Sequence, residues 1–360
     1  MKILIIRLSS IGDCVLSSPV LEALRDRYPD AHITWAVQAK SVSVVKGLPG
    51  LDEVLLWDTK SREKSLRRAL QQTWREKFDI ALDLHGLDKA ALFAFASRAK
   101  RRVSGTSARF LANRTSNEHV DESEFLHARE FYLRRASFLD IAPDAVTRYY
   151  PRVPVQDEHR VFAADFLSRL GVDREHHLVG LNLGASVMEN RWPPHYLAEL
   201  AVRLVRSDPK IRVVVSGAPA DASLGAAFES ALGVILGSEN QEERARIVSS
   251  VGRLSLLQLA ALAEHFMAFV TADTGPMHIA AAMSAPVLAL FGPANRFHTG
   301  PVHKPGTAPV RVIDGRDITG SWPAPMTAIK VDFVFEEAQK MIVEVAASGL
   351  RPIDAKVSLK

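Results

Sequence analysis

Short, continuously apolar runs alternate along the chain with longer segments whose apolar residues recur every three or four positions. The first pattern predicts strands buried on both faces, and the second predicts amphipathic helices. Four runs predict strands in the first half: 2–6, 32–37, 54–57 and 79–84. Six predict strands in the second half: 178–183, 211–216, 234–236, 247–251, 266–270 and 286–291. Strands that alternate with helices predict an α/β fold with a parallel sheet in each half.

Helix signals fill the segments between these strands. Ser18 and Pro19 predict a helix with a serine cap and a proline in its first turn. Further helices are predicted at 66–77, 87–96, 124–139, 162–170, 197–205, 256–265 and 333–347. Residues 109–122 are polar and irregular, which predicts a mobile loop. The prolines between 143 and 154 predict a linker, so we expect domains at 1–155 and 156–330 and a C-terminal segment at 331–360.

Small or polar turns follow the C-terminal ends of the predicted strands. They occur at 8–13, 85–86, 184–186, 217, 273–275 and 292–293. Ligands of open parallel sheets bind beyond the carboxyl ends of the strands, so two domains with facing turns of this kind predict a cleft between them.

Residues 271–282 combine such a turn with an alanine-rich helix. The first-turn amides of a helix have no partner within it, and the helix dipole adds a partial positive charge there. The stretch is therefore a candidate site for a phosphate or diphosphate. The alternative is an ordinary strand-to-helix turn in which Asp273 or Thr274 only caps the helix.

Composition narrows the class of protein. The 360 residues are 47% hydrophobic and 24% charged, which is typical of a soluble globular protein. No apolar run approaches the ~20 residues that span a bilayer, and the apolar start of the chain is shorter than a signal peptide needs. The single cysteine, Cys14, excludes an internal disulfide and suits a reducing compartment. We therefore expect a cytoplasmic protein.

The net charge is only +4, but the basic residues cluster. The first cluster is Lys60, Arg62, Lys64, Arg67 and Arg68, and the second is Arg98, Lys100, Arg101 and Arg102. A solvated helix face is the usual explanation of such runs. The functional alternative is a surface for a polyanion, namely a phosphorylated substrate, an anionic membrane or nucleic acid. No aromatic interleaving or binding motif accompanies the charge, so no nucleic-acid partner is expected.

Five motifs occur in a fixed order along nearly the whole chain. They are IIRLSSIGD at 5–13, DLHGL at 83–87, GAS through RWP at 184–193, DTGPMH at 273–278 and LFGP at 290–293. Together they resemble glycosyltransferase family 9, the ADP-heptose:lipopolysaccharide heptosyltransferases. The resemblance implies the GT-B architecture, in which two Rossmann-like domains face each other across a cleft and a C-terminal helix crosses back to the first. The first domain would bind the acceptor and the second the nucleotide sugar.

The resemblance also implies an inverting, metal-independent transfer of heptose from ADP-heptose to the lipid A–Kdo inner core of lipopolysaccharide, without a cofactor. Asp13 matches the family's proposed general base, which takes the proton of the attacking acceptor hydroxyl. Without a metal, amides, a helix terminus or cations must meet the charge of the leaving group. The implied donor-binding residues are Ser186, Asn190, Arg191, Asp221, Asp273, Thr274, Gly275, Pro276, Met277 and His278. The implied acceptor-binding residues are Arg7, Ser9, Ser10, Gly12, Arg62, Lys64, Arg67, Arg68 and His85.

The basic segment 60–68 has a second candidate partner, the anionic cytoplasmic face of the inner membrane. Peripheral contact there would place the enzyme beside a lipid-linked acceptor.

One position departs from the family's pattern. Family members usually carry lysine where this chain has Asn190, and that charge helps the diphosphate to leave. Asparagine offers a hydrogen bond without a charge, so Arg191 or Arg296 would have to substitute, or the donor differs. Arg7 replaces a position often occupied by lysine and keeps the charge.

Three other interpretations stay open. The first is a glycosyltransferase of the same fold with a different nucleotide sugar or glycan acceptor, and the second is a binding-only protein with a degenerate donor site. The third, a dinucleotide-dependent oxidoreductase, is disfavoured because the first turn lacks G-x-G-x-x-G. Among single residues, Cys14 and Trp192 are predicted to be core. His85 is either a packing residue or an acceptor contact, and His278 by itself is typical of a packed or capping histidine.

Overall fold

Two six-stranded sheets, with neighbouring strands parallel, form the framework of the chain. The computed structural model describes residues 1–59, 62–141 and 144–349, except for the side chain of Arg62. The chain divides into two compact units, residues 1–154 and 155–360, each of which contains one sheet.

The first unit has the strand order β3-β2-β1-β4-β5-β6. Its strands are β1 (Lys2–Ile6), β2 (His32–Gln38), β3 (Glu53–Trp57), β4 (Ile80–Asp83), β5 (Arg101–Gly105) and β6 (Glu118–Val120). Its helices are α1 (Ile11–Arg27), α2 (Arg62–Glu76), α3 (Asp88–Ala96), α4 (Phe110–Thr115), α5 (Ala128–Ser137) and α6 (Ala145–Arg148). One apolar core lies between the sheet and the helices α2 and α3, where Phe93 is fully buried.

The second unit has the order β12-β11-β10-β7-β8-β9, which is the order of the first unit when the strands are counted from β7. Its strands are β7 (His177–Asn182), β8 (Ile211–Ser216), β9 (Ile247–Ser249), β10 (Ala268–Ala272), β11 (Val287–Phe291) and β12 (Val310–Asp314). Its helices are α7 (Asp157–Arg169), α8 (Pro194–Ser207), α9 (Ala222–Leu236), α10 (Gln241–Ala245), α11 (Leu256–Ala263), α12 (Gly275–Ala282), α13 (Arg296–Thr299), α14 (Gly315–Thr319) and α15 (Val331–Ala347). Both units therefore have the Rossmann strand order.

Helices cover both faces of the second sheet. Alternate residues of β10 point to opposite faces, so Val270 enters the core beneath α8, α9 and α15, while Phe269 enters the core beneath α7, α11 and α12. The apolar stripe of α15 packs within the second unit, in contact with α8 and β10. The expectation that segment 331–360 also packs on the first domain remains a prediction. Residues 350–360 lie outside the described part of the chain. None of the helices in the described ranges is both long and apolar enough to span a bilayer.

The first helix begins eight residues earlier than the Ser18–Pro19 signal predicts. It starts at Ile11, and Pro19 lies inside it. Pro19 has no N–H to donate to the carbonyl of Val15, and the hydroxyl of Ser18 donates to that carbonyl instead, at 2.7 Å. The helix therefore tolerates the proline, and its N-terminus forms at the end of β1.

Two further predictions were wrong. Residues 109–122 form α4 and the edge strand β6 rather than an irregular loop, because Asn117 accepts from the Arg102 amide and donates to the Lys100 carbonyl, both at 2.8 Å. Residues 234–236 end helix α9 rather than forming a strand. The sequence patterns also missed β12 and β5, which begins with two arginines and has no apolar run.

A buried ion pair ties α5 to the segment that follows β6. The Arg135 Nε donates to the Glu122 carboxylate at 2.6 Å, and both side chains are almost fully buried. Arg135 also donates to the Asp83 carbonyl at 3.0 Å. A Cβ on Gly105 would lie 1.9 Å from the same carboxylate, so this strand position requires glycine.

Replacement of Arg135 by methionine is expected to lower the free energy of unfolding by about 3–5 kcal/mol, because it leaves the Glu122 charge buried without its partner. The matched control is Arg134→Met on the same helix, which removes an exposed pair with Glu124 and should cost at most about 1 kcal/mol. Denaturant unfolding of both variants measures the difference. Equal losses would contradict the structural role of the Glu122 pair.

Candidate active site

Each sheet has a switch point, where the strand order reverses and a crevice opens beyond the carboxyl ends of two neighbouring strands. In the first unit these strands are β1 and β4, and residues 7–13 and 84–87 follow them. In the second unit they are β7 and β10, and residues 183–186 and 273–278 follow them. Four of the five sequence motifs therefore meet in pairs at the two switch points.

Asp13 lies in the first turn of α1 at the first switch point. Its Oδ2 accepts hydrogen bonds from the Ser10 amide at 3.0 Å and the Ser10 hydroxyl at 2.9 Å, and it pairs with the Arg7 Nη2 at 2.6 Å. Its Oδ1 accepts from the Tyr132 hydroxyl at 2.7 Å. The Asp13 side chain nevertheless stays 30% exposed, so a molecule in solution can approach the carboxylate.

Arg7 is buried beside Asp13 and contacts the groups around it. Its buried guanidinium donates to the Leu84 carbonyl after β4 at 2.7 Å and lies 4.8 Å from the centre of the Tyr132 ring. A buried charge is costly unless it is paired, and Arg7 is paired with Asp13. Arg7 therefore positions the Asp13 carboxylate, and the expected contact between Arg7 and an acceptor remains a prediction.

The electrostatics of this turn fix the charge states of its side chains. Burial alone would raise the pKa of Asp13, but Arg7, Ser10 and Tyr132 together hold that pKa well below its usual range. Burial and the nearby Arg7 lower the pKa of His85 to about 4. At neutral pH the turn thus contains an ionised aspartate and a neutral imidazole.

His85 sits in a turn that a buried carboxylate closes. The Oδ1 of Asp83 accepts from the amides of His85 and Gly86 at 2.8 and 2.9 Å. The neutral ring of His85 is partly exposed, so packing and ligand contact are both compatible with its position. Ser9 and Ser10 also lie partly or fully exposed at this crevice, whereas Gly12 is buried and offers only its backbone.

Cys14 follows Asp13 and is fully buried, as expected for a core residue. Burial raises the pKa of its thiol to about 12, so the thiol stays protonated.

Tyr132 is a site residue that the sequence motifs did not reveal. It lies on α5, 119 positions from Asp13, and is 5% exposed. A tyrosine on the apolar face of a helix is typical of a core residue, so no local signal distinguishes it.

The basic cluster on α2 divides into two parts. Lys64 and Arg68 line a groove of about 530 Å³ between α2 and the edge strand β3, whose floor includes Val54 and Leu56. Arg67 is exposed but does not line this groove, and the side chain of Arg62 and residue Lys60 lie outside the described part. The groove therefore combines an apolar floor with a cationic rim.

Two of the four residues in the second basic cluster, Arg101 and Arg102, make contacts within the first unit. Arg101 pairs with Glu118 at 2.8 Å, and Arg102 donates to the carbonyls of Thr115 and Ala99 at 2.6 Å.

The turn after β7 is shaped by a carboxylate. The Asn182 side chain donates to the Gly184 carbonyl at 2.8 Å, and a Cβ on Gly184 would lie 2.1 Å from the Asp221 Oδ2. That oxygen also accepts from the Ala218 amide at 2.8 Å. The turn therefore requires glycine, and Asp221 is brought to the same switch point as residues 184–186.

Arg191 crosses this turn, whereas Asn190 is buried behind it. The Arg191 Nε donates to the Ala185 carbonyl at 2.9 Å, and its Nη2 lies 4.0 Å from the Asp221 carboxylate. Its side chain is 30% exposed, and Ser186 beside it is exposed. Trp192 is core, as expected, and donates to the Ile329 carbonyl at 2.9 Å.

Arg296, the other cation considered near this site, is engaged elsewhere. Its Nη1 pairs with Asp317 at 2.5 Å, and its Nε lies 3.4 Å from the buried Asp314. Two carboxylates thus offset its charge, so Arg191 is the better placed cation at the Gly184 turn.

The turn after β10 brings Asp273 and His278 together. The His278 Nε2 lies 3.9 Å from the Asp273 Oδ1, and the Thr299 hydroxyl donates to the other oxygen at 3.2 Å. Thr274 is the N-cap residue of α12, and the Met277 amide donates to its carbonyl at 3.1 Å. Pro276 has no N–H, so the amides of Thr274 and Gly275 are the candidate donors at the start of the turn.

Met277 does not offer its side chain to this site. It is fully buried and packs in the core beneath α7, α11 and α12. The first turn of α12 directs this side chain into the core, so a donor contact at this position would come from the backbone, and the expectation that Met277 binds the donor stays a prediction.

Paired Rossmann-like units whose functional motifs meet at their switch points define the class of GT-B glycosyltransferases. The sequence model of Glycosyltransferase family 9 (heptosyltransferase) matches residues 67–311, which is more than half of the chain. The chain belongs to this family. Asp13 precedes the matched range, so its place in the site rests on the geometry of the first unit.

Known proteins resemble the chain over most of its length. Lipopolysaccharide heptosyltransferase 2 of Salmonella typhimurium is 29% identical over 325 residues, which cover 88% of this chain and 89% of that protein. The solved structure of the Escherichia coli ADP-heptose LPS heptosyltransferase II is 25% identical, covers 96% of this chain and 100% of its own, and has a TM-score of 0.76. The glycosyl transferase family 9 protein of Veillonella parvula shares the fold, with 24% identity, a TM-score of 0.78 and coverages of 95% and 97%.

Tyr132→Phe is expected to raise the pKa of Asp13, because it removes the hydrogen bond to Oδ1 that favours the charged carboxylate. A carboxyl group whose pKa is lower in the folded protein than in the unfolded chain stabilises the fold at pH values above its ordinary pKa of about 3.9. That stabilisation is lost as the pH falls towards the folded-state pKa. The variant should thus lose stability at neutral pH and little at low pH.

Carbon NMR of labelled aspartate carboxyls over a pH titration measures this shift. Tyr28→Phe is the control, since its hydroxyl donates to the Leu139 carbonyl and not to Asp13. An Asp13 that titrates near its ordinary value in the unsubstituted protein would contradict the account.

Proposed function

We propose that this enzyme transfers heptose from ADP-heptose to the inner core of lipopolysaccharide, at its lipid A–Kdo region. The observation that carries the proposal is the family match, joined to a relative that is named a lipopolysaccharide heptosyltransferase and covers 88% of the chain. The Escherichia coli structure, whose name includes ADP-heptose, supports the same donor.

Asp13 would act as the general base of an inverting displacement. The acceptor oxygen attacks the anomeric carbon, the bond from that carbon to the diphosphate breaks, and the hydroxyl proton passes to Asp13. Three donors occupy Oδ2, whereas Oδ1 accepts from Tyr132 alone among the described contacts. A carboxylate oxygen has two lone pairs, so Oδ1 is the atom with room for the proton. The low pKa of Asp13 keeps its carboxylate ionised but weakly basic. Proton transfer would therefore come late, when the bond from the acceptor oxygen to the anomeric carbon has made the hydroxyl acidic.

The second unit would hold the donor at its own switch point. The amides of Thr274 and Gly275, at the positive end of the α12 dipole, suit a diphosphate. Arg191 would supply the cation that offsets the leaving-group charge without a metal. Asp221 would contact the nucleoside, and Asp273 and His278 the sugar and phosphates. Ser186 and Asn190 are expected to bind the donor at the same turn, and Asn190 stands where the family usually has a lysine that helps the diphosphate to leave.

The first unit would hold the acceptor. Ser9, Ser10 and His85 lie at the crevice around Asp13, where the reacting sugar would bind. The groove with Lys64 and Arg68 on its rim suits the phosphates and carboxylates of the lipid A–Kdo acceptor. Because that acceptor is linked to lipid, we place the enzyme at the cytoplasmic face of the inner membrane.

A different nucleotide-sugar donor is the second candidate, and Asn190 is the observation that favours it. Incubation with an acceptor and either ADP-heptose or UDP-sugars, with detection of the released nucleotide, separates the two. Acceptor-dependent release of ADP from ADP-heptose is the expected result. Release of UDP with no release of ADP would overturn the choice of donor.

Asp13→Asn should lower kcat by at least about 10²-fold, because the amide does not take up the acceptor proton. The affinity for ADP should stay unchanged, since the donor residues lie in the second unit. Steady-state kinetics and calorimetric titration of ADP measure the two quantities. An unchanged kcat would remove Asp13 from its role, and a lost ADP affinity would indicate general damage to the fold.

Arg191→Gln should lower kcat by about 10²–10³-fold, as expected when a charged group that stabilises the leaving group is removed. Arg296→Gln is the matched comparison and should change kcat far less, because Arg296 is paired with Asp317. A larger loss in the Arg296 variant would reverse the assignment of the cation.

A further inference from the structure

Three neighbouring helices of the first unit leave large apolar side chains in contact with solvent. Trp74 on α2 is 48% exposed, Phe95 on α3 is 67% exposed and Phe110 on α4 is 73% exposed. Leu92 and Leu111 extend the set on α3 and α4, at 44% and 48%. We call these five residues the aromatic face.

The residues of the face lie on helices that pack against one another, α2 on α3 and α3 on α4. The rings of Trp74 and Phe95 lie 6.4 Å apart, so α2 and α3 share one patch, and α3 packs along α4. The exposed residues of α3 are Asp88 and Lys89 in its first turn and Leu92 and Phe95 further along, where a solvated helix normally places polar residues. An exposed set of this size on adjacent elements marks an interaction site.

The segment of the chain that carries the face, residues 62–115, is strongly basic. These residues include 13 Lys and Arg but only 5 Asp and Glu. The net charge of the segment is therefore larger than the +4 of the whole chain, and the other residues together are net acidic. The guanidinium of Arg98 lies 4.8 Å from the Trp74 ring, and that of Arg114 lies 5.9 Å from the Phe110 ring. Cations therefore stand directly beside the exposed rings.

We propose that the aromatic face docks on the surface of an anionic lipid bilayer. Tryptophan and phenylalanine suit the boundary between headgroups and acyl chains, and arginine beside them suits anionic headgroups. The basic side chains beside the rings complement an anionic lipid surface, whereas a symmetric contact between two copies would bring the same basic surfaces against each other. Only the biological role of this docking rests on the proposed function, because an enzyme docked on the bilayer would reach a lipid-linked acceptor.

The test is sedimentation of the full chain with vesicles of phosphatidylcholine alone and of phosphatidylcholine with about 30% phosphatidylglycerol, at low and high salt. Binding should require the anionic lipid and weaken as salt rises. The double substitution Phe95→Ser with Phe110→Ser should lower the partition coefficient at least about tenfold. Arg98→Gln with Arg114→Gln should lower it mainly at low salt.

The matched control is Val234→Ser with Phe333→Ser, which removes two exposed apolar side chains of the second unit and should leave binding unchanged. Equal binding to both vesicles, or equal binding by the Phe95/Phe110 variant, would overturn the proposal. Self-association that the same variant abolishes would also overturn it, because the face would then be a subunit interface.

Transfer to a soluble, delipidated acceptor separates this proposal from the proposed function. The Phe95/Phe110 variant should keep that activity while losing vesicle binding. A chain that binds anionic vesicles but transfers no heptose would refute the function and leave the docking surface standing.

Discussion

The parallel pairing of β1 with β4, and of β7 with β10, is the constraint on which the candidate site depends. Parallel strands emerge at the same edge of a sheet, so the register of Ile6 with Asp83 brings residues 7–13 and 84–87 together although they are far apart in the chain. The register of Leu181 with Val270 does the same for the turns at 184 and 273. The chemistry of each unit is therefore located by backbone pairing before any side chain contributes.

Side-chain electrostatics then determine the charge and the contacts of Asp13 at the first switch point. Arg7 is buried and needs partners, and it finds them in the Leu84 carbonyl, the Tyr132 ring and the Asp13 carboxylate. The same contacts that satisfy Arg7 keep Asp13 ionised and occupy one of its oxygens. The other oxygen stays able to receive a proton, which is the property that glycosyl transfer asks of a base.

Apolar runs and turn residues predicted the two parallel sheets and most of their strands, and the family resemblance predicted the motifs that meet at the switch points. Local patterns missed β5, because the arginines at its start are satisfied by partners such as Glu118 that are distant in the sequence. They placed the start of α1 at Pro19, since the compensating bond from Ser18 to Val15 is visible only in the fold. Tyr132 escaped prediction for the same reason, because its position beside Asp13 comes from tertiary packing.

In the proposed mechanism the second unit holds the nucleotide and the first supplies the base. Amide hydrogen exchange of the full chain with and without ADP tests it directly. The account predicts that ADP slows exchange at 183–186 and 273–278 and leaves 9–13 unchanged. Protection at 9–13 without protection at 273–278 would contradict it.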